Sequence, residues 1–397
     1  MSGAYRLDTM KEFEKLGLSQ EIIDVLARKG YKKPTAIQEK TIPLLLKGEV
    51  DVIGQAQTGT GKTASFSLPI IETIEPGKGF VQALVLAPTR ELAIQVSNEI
   101  ESLRGRRKLK VLSVYGGSSI TNQIRALRKG VDIVVGTPGR LMDLMRRKEL
   151  HLQHLTYLVL DEADEMLNMG FLDDIKWILA HTKKDKRMLC FSATMPKPIL
   201  EIAKKFMRKY TVVKIESKEL TIDTIDQMYF PVKSNQRYPS LRRIIAVNKY
   251  FHGLIFCKTK RNVDDLSQRL INDNYAAAAL HGDISQAHRT KILNQFKKGT
   301  VKVLVATDVA ARGIDVEDMT HVINYSLPQS SEVYVHRIGR TGRAGKEGVA
   351  ITFVVPSDMR KLKDIERLTR KTIRKGKLPE IEEVIQTKKD DMVRTIR

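Results

Sequence analysis

The sequence predicts an α/β protein of two tandem domains, each a parallel sheet covered by helices on both faces. Short runs rich in Val, Ile and Leu alternate with amphipathic helical segments along the 397 residues. Near-continuous apolar strands of this kind are typical of parallel sheets buried on both faces. Thirteen such runs occur, which favours two sheets of six or seven strands over one. The chain is also long enough for two hydrophobic cores.

The predicted strands form two sets, separated by the polar stretch Glu216–Thr221. We therefore predict an N-terminal domain over residues 1–215, a short flexible linker over 216–222 and a C-terminal domain over 223–397. The predicted strands are Asp51–Gly54, Ala83–Ala87, Val111–Tyr115, Ile133–Gly136, Tyr157–Leu160, Met188–Phe191, Thr211–Ile215, Gln227–Val232, Leu254–Cys257, Ala276–Leu280, Val303–Ala306, His321–Tyr325 and Val349–Val354.

The two halves resemble each other in the residues that follow their strands. Ala83–Ala87 leads into Pro88-Thr89-Arg90, and Leu254–Cys257 leads into Lys258-Thr259-Lys260. In open α/β sheets, ligands bind beyond the carboxyl ends of the strands. The repetition therefore predicts two related nucleotide-binding folds.

The formal net charge of +22 indicates a polyanionic partner. It is shared by both halves, with +10 in residues 1–210 and +12 in the remainder. Nucleic acid bound along both halves explains such an excess, and a charge that serves only solubility is the alternative. Charge alone does not distinguish RNA from DNA.

Cysteine usage and apolar run length indicate the compartment. Cys190 and Cys257 both lie in apolar strands and are expected to be core residues in a reducing environment. No run approaches 18 apolar residues, and Met1–Met10 lacks the apolar core of a secretory signal. We expect a cytoplasmic protein without membrane association.

A glycine-rich loop after the first strand predicts binding of a nucleoside triphosphate. It reads Ala56-Gln57-Thr58-Gly59-Thr60-Gly61-Lys62-Thr63. Backbone N–H groups around Gly59 and Gly61 can point at phosphate oxygens, and the following helix adds the positive end of its dipole. Lys62 can reach the β- and γ-phosphates, and the Thr63 hydroxyl can bind Mg²⁺.

An acidic cluster, Asp161-Glu162-Ala163-Asp164, follows the strand Tyr157–Leu160. Asp161 can hold the same Mg²⁺ ion. Glu162 is placed to orient or deprotonate a water for attack on the γ-phosphorus. The loop alone is a weak signal, but the loop and the cluster together predict an ATPase that uses ATP and Mg²⁺.

The loop begins with Ala56, where the general phosphate loop has glycine. A-x-T-G-x-G-K-T followed by D-E-A-D resembles the DEAD-box family of ATP-dependent RNA helicases, within superfamily 2. The resemblance runs from Phe13 to Gly345, with each motif in the family's order. It implies two tandem RecA-like domains and an RNA-dependent ATPase with helicase activity.

Near the N-terminus, Gly30–Gln38 resembles the Q motif of this family. The Gln38 amide offers a donor and an acceptor, which match N7 and the N6 amino group of adenine better than the two acceptors of guanine. The resemblance also implies that Phe13 stacks on the base. The ATP-binding residues implied in this half are Phe13, Lys33, Gln38, Gln57, Thr58, Gly59, Thr60, Gly61, Lys62 and Thr63.

Motifs in the second half complete the implied active site. His336–Gly345 resembles the family's arginine-finger motif, which implies that Arg340 and Arg343 approach the γ-phosphate. Gly313 and Asp315 join the ATP-binding set, with Asp315 at the ribose. The resemblance assigns the coupling of hydrolysis to unwinding to Asp164, Ser192, Thr194 and His336.

The resemblance also selects RNA contacts from the many basic and glycine residues. They suit phosphate and 2′-OH groups and include few aromatic side chains, so binding without sequence preference is expected. The contacts in the first domain are Pro88, Thr89, Arg90, Gly117, Thr137, Gly139 and Arg140, and those in the second are Lys258, Gly282, Arg289, Thr307 and Arg312.

The implied mechanism is a clamp in which ATP and single-stranded RNA each favour a closed arrangement of the two domains. A bound strand that must bend would be incompatible with a regular duplex, so strands separate locally and without processive movement. The alternatives are an ATP-gated RNA scaffold that seldom unwinds, a DNA helicase of the same superfamily, and a phosphate-loop ATPase unrelated to nucleic acid. We expect a monomer, with protein cofactors or ribonucleoprotein complexes as further partners.

The basic segment Met359–Lys377 is predicted to be a solvated surface helix, with extra RNA contact as the alternative.

Overall fold

The computed structural model describes residues 10–57, 59–215, 225–311, 319–342, 347–369, 371–386 and 389. The chain divides into two compact units, Met1–Lys218 and Glu219–Arg397. The predicted linker 216–222 lies outside the described residues, so the predicted domain bounds stay a prediction. Five predicted site residues also lie outside them: Thr58, Arg312, Gly313, Asp315 and Arg343.

The first unit contains a sheet of seven parallel strands. They are β1 (Asp51–Gln55), β2 (Ala83–Leu86), β3 (Val111–Val114), β4 (Ile133–Gly136), β5 (Tyr157–Leu160), β6 (Arg187–Ser192) and β7 (Tyr210–Lys214). Their order across the sheet is β3-β4-β2-β5-β6-β1-β7. In this register Val85 of β2 lies between Val135 of β4 and Val159 of β5.

Helices cover both faces of this sheet. They are α1 (Gln20–Arg28), α2 (Ala36–Lys47), α3 (Lys62–Thr73), α4 (Arg90–Leu103), α5 (Ile120–Arg128), α6 (Pro138–Arg146), α7 (Ala163–Asn168), α8 (Leu172–Ala180) and α9 (Lys197–Phe206). Alternate strand residues enter two cores, with Val85 and Val135 in one and Leu84 and Val134 in the other. Because both faces of the central strands are buried, β2 and β4 are apolar at every position.

The second unit repeats this architecture. Its strands are β8 (Ile225–Pro231), β9 (Gly253–Phe256), β10 (Ala277–Leu280), β11 (Val303–Ala306), β12 (His321–Asn324), β13 (Gly348–Val354) and β14 (Arg374–Lys375). All pairings are parallel, in the order β10-β11-β9-β12-β13-β8-β14. Counted from β8, this is the strand order of the first sheet. The prediction of two parallel-sheet folds is confirmed.

The helices of the second unit are α10 (Arg237–Val247), α11 (Lys260–Asn272), α12 (Gln286–Lys297), α13 (Asp308–Ala311), α14 (Ser331–Ile338) and α15 (Met359–Thr369). Single 3-10 turns occur at Ser234–Gln236 and Pro356–Asp358, and residues 10–14 and 381–386 are also helical. No helix in the described ranges is both long and apolar enough to cross a membrane.

All thirteen predicted strands are present, with bounds shifted by at most two residues. The C-terminal basic segment is helical, as predicted, only as far as Thr369, where α15 ends. Helix α15 lies on the surface and has one buried face, which includes Leu362 and Ile365. Its contact with RNA stays a prediction. Beyond the helix, Arg374–Lys375 forms β14 at the sheet edge, where Arg374 pairs with Asp226 at 2.5 Å. Two residues are too few to show a strand pattern in the sequence.

The two cysteines occupy the cores, as predicted. Cys190 in β6 and Cys257 after β9 are free thiols and buried. Burial raises the pKa of each thiol to about 12. Both therefore stay protonated and act as small apolar side chains.

Candidate active site and nucleic-acid interface

The first unit places three predicted segments at one edge of its sheet. Strands β5, β6 and β1 are neighbours and run parallel, so their carboxyl ends share an edge. The glycine-rich loop follows β1, the acidic cluster follows β5, and Ser192–Thr194 lies at the end of β6. Segments far apart in sequence thus meet at the position expected for a ligand.

The phosphate loop has the backbone that its glycines allow. Gly59 and Gly61 have φ values of 82° and 86°, and Gly61 immediately precedes α3. A Cβ atom on Gly61 would lie 2.4 Å from Nε2 of Gln38, so only glycine fits. Among the non-glycine residues described, just Lys148, Glu162 and Asn274 have a positive φ. Ala56 can therefore replace the usual glycine without strain.

Lys62 and Asp161 form the charged centre of the loop and the acidic cluster. Nζ of Lys62 donates to the Ala56 carbonyl at 2.8 Å, and the residue is buried. Asp161 is 2% exposed. Its burial and the neighbouring charge of Glu162 raise the pKa of this carboxyl to about 7, although Lys62 opposes the shift. A buried carboxylate short of positive charge favours binding of a cation.

The donor set fits a magnesium ion held mainly by substrate. In the described part of the chain, no group of three or more His, Cys, Asp or Glu side chains could hold a metal. Mg²⁺ in phosphate sites needs only one or two protein ligands, because phosphate oxygens and water complete its shell. The Thr63 hydroxyl in the first turn of α3 and the Asp161 carboxylate are ligands of that kind.

Glu162 has a strained backbone. Its φ and ψ are 50° and 52°, and it precedes α7 as the N-cap. Its N–H donates to Oδ1 of Asp161 at 3.1 Å. Non-glycine residues adopt the left-handed region at a cost of about 1–3 kcal/mol, and such strain is concentrated at functional sites. The fold therefore fixes this carboxylate at the sheet edge.

The third acidic residue connects two strands. Oδ2 of Asp164 accepts hydrogen bonds from the backbone N–H and the hydroxyl of Thr194, each at 2.8 Å. The Asp164 N–H donates to Oγ of Ser192 at 3.1 Å. Asp164 and Ser192 are both buried. These hydrogen bonds connect the segment after β5 to the segment after β6.

The predicted RNA contacts of the first unit gather beside this site. They follow β2, β4 and β3, which are neighbours in the sheet. The guanidinium of Arg90 lies against Gly117, because a Cβ there would be 2.2 Å from Nη1 of Arg90. Arg140 donates to the Ser118 carbonyl at 3.3 Å and to Oε1 of Gln123 at 2.8 Å. Burial and the charge of Arg90 lower the pKa of Arg140.

The other residues of this group have smaller roles in the structure. Thr89 caps α4 by accepting from the Leu92 N–H at 3.2 Å. Pro88 is buried, Thr137 is half-buried at the N-terminus of α6, and Gly139 is exposed with open space around its Cα. Two arginines and an exposed glycine thus mark a positively charged surface.

Family comparisons agree with this geometry. A model of the DEAD/DEAH box helicase family matches residues 35–202, and a model of the helicase conserved C-terminal domain matches residues 236–345. Together they cover more than half of the chain. This chain belongs to the DEAD-box family of ATP-dependent RNA helicases.

The helicase is similar in sequence to several bacterial RNA helicases. It is 50% identical over 377 residues to the DEAD-box ATP-dependent RNA helicase CshA of Geobacillus kaustophilus, which covers 95% of this chain and 80% of the relative. It is 51% identical to the ATP-dependent RNA helicase CshA of Listeria monocytogenes, over 93% of this chain and 71% of the relative.

Solved structures also resemble the helicase. Dbp5 of S. cerevisiae bound to RNA and ADP BeF3 has a TM-score of 0.86 and 34% identity, covering 96% of this chain and 99% of that chain. Mss116p bound to ssRNA and AMP-PNP has a TM-score of 0.84 and 30% identity, covering 95% and 80%. The tandem RecA-like architecture predicted from the sequence is confirmed.

The side-chain amide of Gln38 makes hydrogen bonds to backbone groups of the helicase. Oε1 of Gln38 accepts from the Thr35 N–H at 2.9 Å, and Nε2 donates to the Gly61 carbonyl at 3.2 Å. One amide hydrogen and one acceptor lone pair remain for a base. Gln38 thus links the Q motif directly to the phosphate loop. Adenine recognition stays a prediction.

The structure supports the other predicted ATP-binding residues of the first unit to different degrees. The Phe13 ring is fully buried and meets Tyr31 edge-on at 6.3 Å, so it offers no free face to a base. The stacking role stays a prediction that this packing does not support. Lys33 is exposed, and Thr60 Oγ1 donates to the Gln57 carbonyl at 2.7 Å within the phosphate loop.

In the second unit, the predicted RNA contacts again follow three neighbouring strands, β10, β11 and β9. Lys258 and Gly282 are exposed, and Thr307 is half-buried. Arg289 differs, because its guanidinium is buried and donates to the Ala310 carbonyl at 2.6 Å. It fixes α13 in place, and its predicted contact with RNA has no support in this position.

The sequence did not indicate the role of Arg337. Its buried guanidinium makes paired contacts with Asp308 at 2.6 and 2.9 Å and also donates to Asn324 and the Ser326 carbonyl. Arg337 thereby anchors α14, which carries His336 and leads to Arg340. Sequence spacing does not distinguish Arg337 from the other arginines of this motif. The only available signal was Asp308, directly after a strand.

Proposed function

We propose that the helicase hydrolyses ATP with Mg²⁺ and uses the cycle to separate RNA strands locally, without processive movement and without sequence preference. One observation carries the proposal. A single edge of the first sheet holds the phosphate loop, the acidic cluster and, beside them, the Arg90–Arg140 surface. Nucleotide and polyanion sites built on adjacent strands can influence each other directly.

In this proposal Lys62 and the N–H groups of the phosphate loop bind the β- and γ-phosphates. Mg²⁺, held by Thr63 and Asp161, would neutralise charge on the phosphate oxygens. Glu162 orients a water and accepts its proton as the water oxygen bonds to the γ-phosphorus. The bond from the γ-phosphorus to the bridging oxygen breaks, and its electron pair leaves with ADP. The products are ADP and inorganic phosphate.

The second unit supplies cationic groups for the transition state. We assign this role to Arg340 and Arg343, with Gly313 as a further ATP-binding residue and Asp315 at the ribose. The described part supports it in one respect: Arg337 holds α14 rigidly, so the turn at Arg340 has a defined position in its unit. Hydrolysis then requires residues from both units.

The hydrogen bonds of Asp164 give a route from chemistry to RNA. Loss of the γ-phosphate changes the charge next to Asp161 and Glu162. Asp164, two residues later, is bonded to Thr194 and Ser192. We propose that this connection and His336 couple the nucleotide state to RNA affinity. Such coupling is reciprocal, so RNA must also strengthen ATP binding.

Backbone contact explains binding without sequence preference. The proposed contacts are arginines, lysines, hydroxyls and exposed glycines, which suit phosphates and 2′-OH groups. The RNA-bound states of the similar Dbp5 and Mss116p structures support RNA as the ligand here. A monomeric state, protein partners and a cytoplasmic location remain predictions from the sequence.

A strand-displacement assay tests the proposal. We expect ATP to displace the shorter strand of a ten-base-pair RNA duplex with a single-stranded tail, and not that of a duplex several turns long. Glu162→Gln should bind ATP and RNA but hydrolyse at most about one hundredth as fast. Tight ATP-dependent RNA binding without displacement would instead identify an RNA clamp. Equal ATPase stimulation by DNA of the same length would refute the assignment to RNA.

A further inference from the structure

The edge of the first unit opposite the nucleotide site contains a charged groove. It lies between α1 and the turn that follows α4. Helix α4 begins at Arg90, beside the RNA surface, and ends 14 residues later at Leu103. At 1.5 Å per residue this helix spans about 20 Å. The groove is therefore separate from the proposed active site and from the proposed RNA contacts.

The groove consists of two adjoining cavities that share Arg28 and Arg106. The larger, of about 800 Å³, is also lined by Glu21, Asp24, Ala27 and Arg107. The smaller, of about 360 Å³, extends over Lys29, Glu101 and Gly105. Together they are large enough for several side chains of a bound polypeptide.

Hydrogen bonds hold the turn that follows α4 in one conformation and leave the side chain of Arg106 exposed. Oε1 of Glu21 accepts the Arg106 N–H at 3.0 Å. Arg107 donates to the Glu72 and Ile74 carbonyls at 2.9 and 2.8 Å. Gly105 has a φ of 60°, and a Cβ there would lie 2.9 Å from Val25. The backbone under the groove is thus fixed against α1.

Arg28 and Arg106 are exposed cations in this fixed frame. Nε of Arg28 donates to the Asp24 carbonyl at 3.3 Å. Among the described residues, neither guanidinium has a carboxylate partner. Each can therefore offer a planar pair of N–H groups, the geometry that binds a carboxylate or phosphate in bidentate fashion.

The acidic lining decides between these two ligands. Glu21, Asp24 and Glu101 lie in the same cavities, well within a Debye length of a ligand at Arg28. A phosphate backbone has charge of one sign and would meet three carboxylates. A polypeptide can place a carboxylate at the arginines and neutral or basic groups next to Asp24. Charge complementarity therefore favours a protein segment over nucleic acid.

We propose that this groove is a docking site for a partner-protein segment that places one carboxylate between Arg28 and Arg106 and neutral or basic groups beside Asp24. The site lets a partner hold the helicase while the opposite sheet edge remains available for ATP and RNA. This inference does not depend on the proposed catalytic mechanism.

Fluorescence polarisation of a labelled ten-residue peptide of Ala and Ser with one central Glu tests the site. The full chain is first saturated with a decameric oligouridylate and AMP-PNP, so that the peptide cannot occupy the RNA surface. We expect Arg28→Glu with Arg106→Glu to raise the peptide Kd at least about tenfold, because two charge-assisted contacts are lost. RNA-stimulated ATP hydrolysis should not change.

The matched control is Lys183→Glu with Lys184→Glu. It makes the same charge change at exposed positions of the same unit, outside the groove. An equal loss in both double variants, or in neither, overturns the proposal. If the groove double variant no longer bound a labelled RNA duplex but bound the peptide as before, the groove would be a nucleic-acid site instead. If the reversal impairs folding, Arg28→Gln with Arg106→Gln should still weaken the peptide about threefold.

Discussion

The two sheets have the same strand order, yet the loops that follow equivalent strands differ in chemistry. In the first unit β1 leads into a loop with two left-handed glycines and Lys62. In the second unit β8 leads through Val232 and Lys233 into a 3-10 turn at Ser234–Gln236. This connection contains no glycine, so it cannot direct successive N–H groups at a phosphate.

The ends of β5 and β12 differ in the same way. Asp161 and Glu162 follow β5, whereas Tyr325 follows β12 and packs against Phe353 with ring centroids 5.9 Å apart. Arg237 lies over the same tyrosine at 6.0 Å. Aromatic packing thus occupies the place that the acidic cluster has in the first unit. Shared topology supplies positions at the sheet edge, and the residues of the loops decide what chemistry each position can offer.

The largest expected effect concerns the group that the second unit contributes. Arg340→Ala should lower kcat for RNA-stimulated ATP hydrolysis by about 10³–10⁵, because an arginine finger stabilises charge that develops in the transition state. The ATP dissociation constant, measured with a fluorescent analogue, should change little. Normal turnover in this variant would mean that the second unit contributes only RNA binding.

A paired substitution tests the two equivalent loops directly. Lys62→Ala should lower kcat/KM by about 10²–10³, since it removes a donor to the transferred phosphoryl group. Lys233→Ala, at an exposed lysine in the connection after β8, should leave hydrolysis unchanged. Steady-state ATPase rates of both variants with saturating RNA are the measurement. Similar losses in the two variants would show that both loops bind nucleotide.

Much of the difference between the two units could be predicted from local sequence. Strands buried on both faces are apolar throughout, so the runs at 83–87 and 303–306 identified β2 and β11. The glycines and Lys62 identified the phosphate loop, because close backbone approach restricts the residue types allowed. The site also depends on strand neighbours, and the order β5-β6-β1 follows from tertiary packing alone.

The predictions that lack structural support concern side chains with two plausible environments. Phe13 and Arg289 matched motif positions, but one ring is in the core and one guanidinium is bonded to a carbonyl. Nothing in a short sequence window shows which way such a side chain turns. The hydrogen bonds of Arg337 to Asp308 likewise cannot be read from a short sequence window, because the partners are 29 positions apart.

The buried arginine of the second unit should affect stability more than rate constants. Arg337→Met leaves the Asp308 carboxylate without its partner and should lower the free energy of unfolding by about 3 kcal/mol. Urea denaturation followed by circular dichroism measures this. Adding Asp308→Asn should restore part of the loss. The control Arg367→Met removes an ion pair in which Arg367 is 80% and Asp364 52% exposed, and it should cost less than about 0.5 kcal/mol. Equal losses in the two arginine variants would contradict the anchoring role.

The smallest expected effect is an opposite response of the two units to acid. The folded pKa of Asp161 is raised from 3.8 to about 7, chiefly by burial. The folded protein therefore binds a proton that the unfolded chain does not, and acidification from pH 7.5 to 5.5 should stabilise it by about 2 kcal/mol. The folded pKa of His321 is lowered from 6.5 to about 4 by burial. Here the unfolded chain binds the extra proton, and the same change should destabilise by about 1 kcal/mol.

Two substitutions separate these contributions in the full chain. Asp161→Asn removes the first, so its stability should fall more on acidification than that of the unmodified protein. His321→Gln removes the second, so its stability should rise more. Urea midpoints at pH 7.5, 6.5 and 5.5 measure both. Parallel pH profiles for the three proteins would show that neither group is desolvated enough to matter. Burial would then have shifted the pKa of neither Asp161 nor His321, and the two units would not differ in how their stability depends on pH.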